Sequence, residues 1–442
     1  MSKSPTIHVI IPTGGRAETI WSTLRSCASQ SYDHLRVWIC DNSFEPATER
    51  IVNALDDQRF TLIQPQKRLC MAENWEFALS HIHDGFLTII GDDDCLMPES
   101  IREVAKLIQE NPEISIFNHL PASYYWPNFP NKEMANKLQI RPMDFGQTIQ
   151  ATAPILSKVC AFEAWYGHLP LLYHGFVSTQ LINKIKEQSG TPFFNFCAPD
   201  IYAAIVLALH ADHFLLLHSA LTVGGQSARS NGANYSMQTE VGKMFTAELP
   251  PRLRFRYESM SISLGLYEAI ENAFALFPEQ AKSFPIDKER LLDAAIAEVS
   301  SLGLIQQELL REKLLLIYPK KMVSEAFKKS YAGHNLEAKS LPNPPSQNQA
   351  LIEKLRRLPS RLIKKIVAGR QPMIPQGPGD GSDNLPKVGF FMQDGSLKLE
   401  SSLDLAEYGI ESVEAASLFL HEKLNAFKCH SPMGQNDSHA GH

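Results

Sequence analysis

Three consecutive carboxylates, Asp92, Asp93 and Asp94, follow Gly91 directly after the apolar run Phe86 to Ile90. Like charges gathered at one strand end repel one another, and such a cluster is tolerable where a divalent cation neutralises it. Hard oxygen donors suit Mg²⁺ or Mn²⁺, ions that keep some of their waters and complete their shell from substrate phosphates. The alternative is a solvated acidic turn that caps a helix starting near Pro98, since aspartates favour helix N-termini.

The elements that must position these groups can be read around them. Short Ile- and Val-rich runs alternate with amphipathic stretches, the pattern of βαβ units in a mostly parallel sheet flanked by helices. Ile7 to Ile11, Leu35 to Cys40, Phe60 to Ile63 and Phe86 to Ile90 read as strands, with helices over Ala17 to Cys27 and Met71 to Ile82. A helix over Glu99 to Gln109 and a strand over Ile114 to Phe117 follow, after which Tyr124 to Pro130 reads as an aromatic, proline-broken loop. In open α/β sheets ligands bind beyond the carboxyl ends of the strands. Three polar loops fall there: Pro12 to Arg16, Asp41 to Ser43 and Gly91 to Asp94. Helices over Thr179 to Gln188 and Ile201 to His210, the run Phe214 to Leu217 and a glycine- and serine-rich loop from Gly224 to Gly232 complete this first unit.

A chain of 442 residues exceeds what one hydrophobic core usually organises. The expected division is a catalytic domain over 1–245, a helical domain over 246–334, a proline-containing linker over 335–350, a basic helix over 351–370, and a linker with a small C-terminal region and disordered tail over 371–442. As a helix, the basic segment gathers Leu351, Leu355, Leu358, Leu362 and Ile366 on one side, with Lys354, Arg356, Arg357, Arg361, Lys364 and Lys365 supplying charge. It is expected either to lie on an anionic membrane surface or to dock on the protein with a solvated basic face, broken at Pro359.

The net charge of −6 gives no basic bias toward nucleic acid, so no nucleic-acid partner is expected. Seven scattered cysteines without a CxxC pair argue against a disulfide framework or a structural zinc and fit a reducing cytoplasm. The start Met1-Ser2-Lys3-Ser4-Pro5 lacks the basic and apolar regions of a signal peptide, and no apolar run approaches the roughly 20 residues of a spanning helix. A cytoplasmic protein is expected, with any membrane contact peripheral, at the inner face.

The acidic run, with Pro98 spaced after Asp94, resembles the Asp-X-Asp type motif that closes a central strand in family-2 glycosyltransferases of GT-A fold. The other loops match the same family in order: Pro12, Thr13 and Arg16 after the first strand, Asp41 and Asn42 after the second, and Arg68, Asn74 and Trp75 before and within the next helix. The resemblance implies a GT-A, Rossmann-like α/β fold with a helical C-terminal extension. It also implies Mn²⁺ or Mg²⁺ on Asp93 and Asp94, with Asp92 at the donor's ribose or in the metal shell. The donor is then a nucleotide-sugar, UDP by family frequency, held by Pro12, Thr13, Arg16, Asp41, Asn42, Arg68 and Asn74. Gly91 departs from the pattern, standing where the family's first aspartate is usual.

An inverting transferase needs a carboxylate to take the acceptor's proton. The family places it at a helix start, where this chain has Asp200, which as a helix cap would be equally natural. A mobile loop that closes over the diphosphate in the family corresponds here to Gln226, Ser227, Arg229 and Ser230, with Arg229 the candidate for the leaving phosphates; His218 is an alternative metal ligand or a satisfied strand-end residue. A glycan or lipid-linked acceptor would sit over residues 119–176, where Tyr124, Tyr125, Trp126 and Trp165 offer aromatic rings. A sugar nucleotidyltransferase is the rival enzyme class, although Gly14-Gly15-Arg16 lacks the longer glycine run of that group; a degenerate transferase acting as a scaffold is the non-enzymatic one.

Overall fold

The computed structural model describes residues 4–141, 143, 145–236, 249–300, 302–337, 391–393, 396–398 and 402–430. The basic segment 351–370, most of the two linkers beside it and the tail beyond residue 430 lie outside the described residues.

The central layer is an eight-stranded mixed sheet. Its strands are β1 (Ile7–Thr13), β2 (Leu35–Asp41), β3 (Phe60–Ile63), β4 (Phe86–Ile89), β6 (Ile116–His119), β9 (Gln147–Ala151), β10 (Phe176–Ser178) and β11 (His213–Leu217), in the order β3-β2-β1-β4-β10-β6-β11-β9. The four strands from β3 to β4 run parallel, whereas β10 is antiparallel to both β4 and β6. β1 reads as an almost continuous apolar run because both faces are covered. Val9 and Ile11 point into a core shared with α1 (Ala17–Ala28) and α4 (Ser100–Glu110), while Ile10 points into a second core with α3 (Met71–Leu79), α5 (Thr152–Cys160), α6 (Thr179–Ser189) and α7 (Pro199–His210). This is the three-layer α/β architecture expected from the sequence.

Pro12 sits at the end of the central strand without disturbing it. Ile10 accepts a hydrogen bond from Ile90 on the β4 side, so Pro12, two residues on, directs its missing N–H toward the same side, where β4 has already ended at Ile89.

A second sheet packs beside the first: strand Ser402–Asp404, then β8 (Lys137–Gln139), β7 (Ala122–Tyr125), β12 (Thr222–Gln226) and β5 (Cys95–Leu96). Two sequence expectations change here. Part of the expected aromatic loop is strand β7, with Ala122 and Tyr124 buried in alternation, too short a run to show its period of two. Gly224, Gly225 and Gln226, expected in a loop, form most of β12; glycine is a poor strand former, and pairing with β7 and β5 imposes the conformation.

The C-terminal region packs on this second sheet. Strand Ser402–Asp404 pairs with β8, and helix Val413–His430 lays Val413, Ala416, Leu420 and Leu424 on Cys95, Met97, Tyr124 and Trp126. The helical stretch from Ile262 to Glu337 has a core of its own around Leu264, Leu291, Leu310 and Phe327, and helix Ile262–Leu276 joins it to the core beside the central sheet through Leu266, Ala269 and Ile270.

Candidate active site

All three carboxylates of the acidic turn are buried, Asp92 and Asp94 at 1% exposure and Asp93 at 4%. Burial of charge on this scale requires partners, and each aspartate has a different set. Asp92 accepts from Thr13 Oγ1 at 2.5 Å and from the Arg16 guanidinium at 2.8 Å. Arg16 also stands 3.7 Å from Asp93 Oδ1. Burial works against the Arg16 cation, and Asp92 and Asp93 more than offset it, so the side chain stays charged. The first-strand loop thus supplies the counter-ion of the turn.

Asp93 Oδ2 accepts from Ser227 Oγ at 2.7 Å, Ser230 Oγ at 2.5 Å and Ser227 N at 3.3 Å. Asp94 is satisfied entirely by the protein: Gly225 N donates to Oδ1 at 2.6 Å, and Gly91 N and Tyr173 OH donate to Oδ2 at 2.5 and 2.6 Å. Of the six carboxylate oxygens, Asp93 Oδ1 is the one without a hydrogen bond among the described residues. This donor set fits a divalent ion held through Asp93 alone, with Asp92 and Asp94 engaged in holding the turn. Among the described residues no three His, Cys, Asp or Glu side chains converge on one point, so the rest of such an ion's shell would come from water and substrate oxygens.

Burial pushes the carboxyls of Asp92 and Asp94 upward; Arg16 and Thr13 oppose this at Asp92, and Tyr173 with the Gly91 and Gly225 amides opposes it at Asp94. Close approach constrains the glycines unequally. A Cβ on Gly91 would stand 2.9 Å from Asp93 Oδ1 and 3.0 Å from both Asp94 Oδ2 and Tyr173 OH, side-chain ends that would have to shift by a few tenths of an ångström. A Cβ on Gly225 would meet the Asp93 carbonyl at 1.7 Å.

Asp200 lies in the first turn of α7, whose N-cap is Ala198, so it is not the cap itself. Its carboxyl is raised by burial, opposed by the amides of the helix start and by Tyr166, whose hydroxyl donates to it at 3.5 Å. Asp200 also helps push up the Tyr173 phenol, the group that binds Asp94. Tyr173 is also stacked on buried Trp75 at 5.7 Å.

The remaining expected residues divide. Arg229 reaches across to the first-strand loop, donating to the carbonyls of Gly15 at 3.2 Å and Gly14 at 3.4 Å, with Glu18 3.7 Å away. Asp41 binds Ser43 and receives Gln64, shaping its own loop. Asn42 spends both ends of its amide on the Leu69 backbone, and Asn74 receives the Cys40 thiol, so these two order the loop around exposed Arg68. Trp75 is core. His218 faces Thr148 at 3.0 Å on the β9 edge and does not join the acidic turn. Tyr124 and Trp126 are no sugar platforms: both are buried, with Tyr124 OH on Asn136 and Trp126 Nε1 on the Asp93 carbonyl. Trp165 remains 47% exposed, with Arg141 over its ring.

Tyr173, His174 and His119 were not legible as site residues. His174 touches Asp94 at 3.4 Å, binds Thr222 at 2.8 Å through its other nitrogen, and its carbonyl is bound by His119. Burial lowers His174 to about 4 and His119 to about 3, so both are neutral. Only the Tyr173-His174 pair just before the short strand β10 hinted at them.

Residues 8–172 match the model of glycosyl transferase family 2. An uncharacterized glycosyltransferase of Haemophilus influenzae is 26% identical over 117 residues, which span 26% of this chain and 38% of that protein. Among solved structures, TarS 1-349 of S. aureus in complex with UDP is similar at TM-score 0.43 and 14% identity, over 77% of this chain and 94% of that one. A mannosyltransferase from Pyrobaculum calidifontis in complex with GDP-Man and Mn²⁺ is similar at TM-score 0.36 and 17% identity, over 76% and 89%. Residues 8–172 are thus similar to glycosyl transferase family 2, and they lie within a mixed α/β fold.

Proposed function

We propose that the protein transfers a sugar from a nucleoside-diphosphate sugar to an acceptor hydroxyl with inversion, UDP being the nucleotide. The observation that carries this is the acidic turn: in a family 2 domain, the loop after β1, the segment from Gly225 to Ser230 and Tyr173 converge on Asp92 to Asp94, leaving Asp93 Oδ1 as the oxygen for a cation. Asp93 would hold Mn²⁺ or Mg²⁺, which when bound neutralises the donor diphosphate as a Lewis acid. Thr13 and Arg16 fix Asp92 at the donor side, and Arg229, already over the Gly14 and Gly15 carbonyls, is placed to receive charge on the departing phosphates.

Asp200 accepts the acceptor hydroxyl's proton as that oxygen forms its bond to the anomeric carbon and the bond to the diphosphate oxygen breaks. A carboxyl raised by burial is better matched to that task than an ordinary exposed one. Trp165, exposed beside Tyr166 and Asp200, is the aromatic ring left on the acceptor side.

The test is release of nucleoside diphosphate from a panel of nucleotide-sugars with Mn²⁺. Asp200→Asn is expected to lower kcat by about 10²- to 10⁴-fold while donor-induced thermal stabilisation persists. Asp93→Asn is expected to abolish the cation's contribution to that stabilisation. Pyrophosphate release from a nucleoside triphosphate, with no diphosphate release from any sugar donor, would establish the nucleotidyltransferase instead.

A further inference from the structure

The helical region carries an apolar ridge rimmed by cations. Helix Leu304–Leu314 buries Gln307, Leu310 and Leu314 against its neighbours, and on its other side and just past its end Leu309, Leu315 and Leu316 are 43%, 41% and 65% exposed. Leu309 is on the helix, and Leu315 and Leu316 are in the turn that follows it. A single exposed leucine means little, but adjacent ones at a hairpin tip form a patch. The chain then turns at Pro319 and starts the next helix with Lys320 and Lys321, both exposed, as is Lys328. From residue 311 to 329 there are six basic residues and two acidic ones, in a chain whose net charge is −6. Two of the six face the protein: Arg311 lies over Phe327, and Lys329 pairs with Asp293. Among the described residues Lys313, Lys320, Lys321 and Lys328 form no ion pair.

We infer that residues 309–321 are a peripheral docking surface for an anionic lipid bilayer, Leu315 and Leu316 entering the headgroup boundary and the lysines binding lipid phosphates. Exposed apolar side chains with basic residues at their rim complement a surface that is apolar within and anionic at its face, which is what a negatively charged bilayer presents. The surface is distinct from the acidic turn, and its residues precede the basic segment 351–370 in sequence. Its failure would leave the transferase assignment untouched.

The full chain is mixed with vesicles of phosphatidylcholine containing phosphatidylglycerol, and with pure phosphatidylcholine vesicles, and bound protein is measured by co-sedimentation. Binding is expected to the anionic vesicles alone and to weaken as salt is raised. At roughly fivefold per lysine, Lys320→Gln with Lys321→Gln should weaken binding about 25-fold. Leu316→Ser should weaken it too, without changing its salt dependence. All three positions are exposed, so an unchanged melting point shows that the fold is intact. As a control, Lys364→Gln with Lys365→Gln in the basic segment should leave most of the binding. The inference is overturned if the first pair binds as the unsubstituted chain does, if only the second pair loses binding, or if Leu316→Ser changes the oligomeric state and not vesicle affinity.

Discussion

Each aspartate of the acidic turn has the same chemistry and a different surrounding, and the surrounding sets its role. Asp94 is saturated by amides and a phenol, Asp92 by Thr13 and Arg16, and Asp93 keeps one oxygen without a hydrogen bond. A hydrogen bond to an ionised carboxylate contributes about 1.5–3 kcal/mol, so Ser227 and Ser230 between them fix Asp93 firmly. Gly225 is the position least able to change. Gly225→Ala puts a methyl group 1.7 Å from the Asp93 carbonyl, backbone against backbone, and the turn must move. Overpacking of this kind costs about 1–3 kcal/mol or more. Thermal denaturation should show that loss together with the disappearance of cation-assisted donor binding, and an unchanged melting curve would contradict the close approach.

At the scale of elements, the strand leaving the acidic turn is clamped from behind by a distant part of the chain. Ser417 on helix Val413–His430 donates to the Leu96 carbonyl at 3.2 Å, and Glu414 pairs with Arg25 of α1 at 3.1 Å. The helix therefore belongs to the catalytic unit in folding terms, although some three hundred residues separate Leu96 from Ser417. Leu420 is 1% exposed in the core beneath the second sheet. Leu420→Ala is expected to lower the stability of the catalytic unit by about 2–5 kcal/mol in urea denaturation. If that transition kept its midpoint, the helix would be an appendage.

For the molecule as a whole, buried neutral histidines couple stability to pH. His119 titrates near 3 in the folded chain and near 6.5 when unfolded, so between these values the unfolded state binds the extra proton and stability falls as pH falls. The raised carboxyls of Asp92 and Asp94 act in the opposite direction, which makes a comparison between variants the informative measurement. From pH 7 to pH 5 the unsubstituted chain should lose about 2 kcal/mol more than His119→Gln. Equal losses in calorimetry would mean that His119 is not held neutral.

The apolar runs at Ile7, Leu35 and Phe86, each ending in a polar loop, are determined by local sequence, because a strand covered on both faces must be apolar and its loop must be polar. The acidic turn and the partner loops at Thr13 and Arg16 were legible for the same reason. What tertiary structure alone decided is which carboxylate remains available. That depends on Ser227, Gly225 and Tyr173, residues whose types are common in loops and strands and which reach the turn only when β12 and β10 are laid beside it. The same holds for Tyr124 and Trp126, aromatic in sequence and core in space, because the second sheet and the returning C-terminal helix close over them, and no local pattern encodes a contact made at such separation.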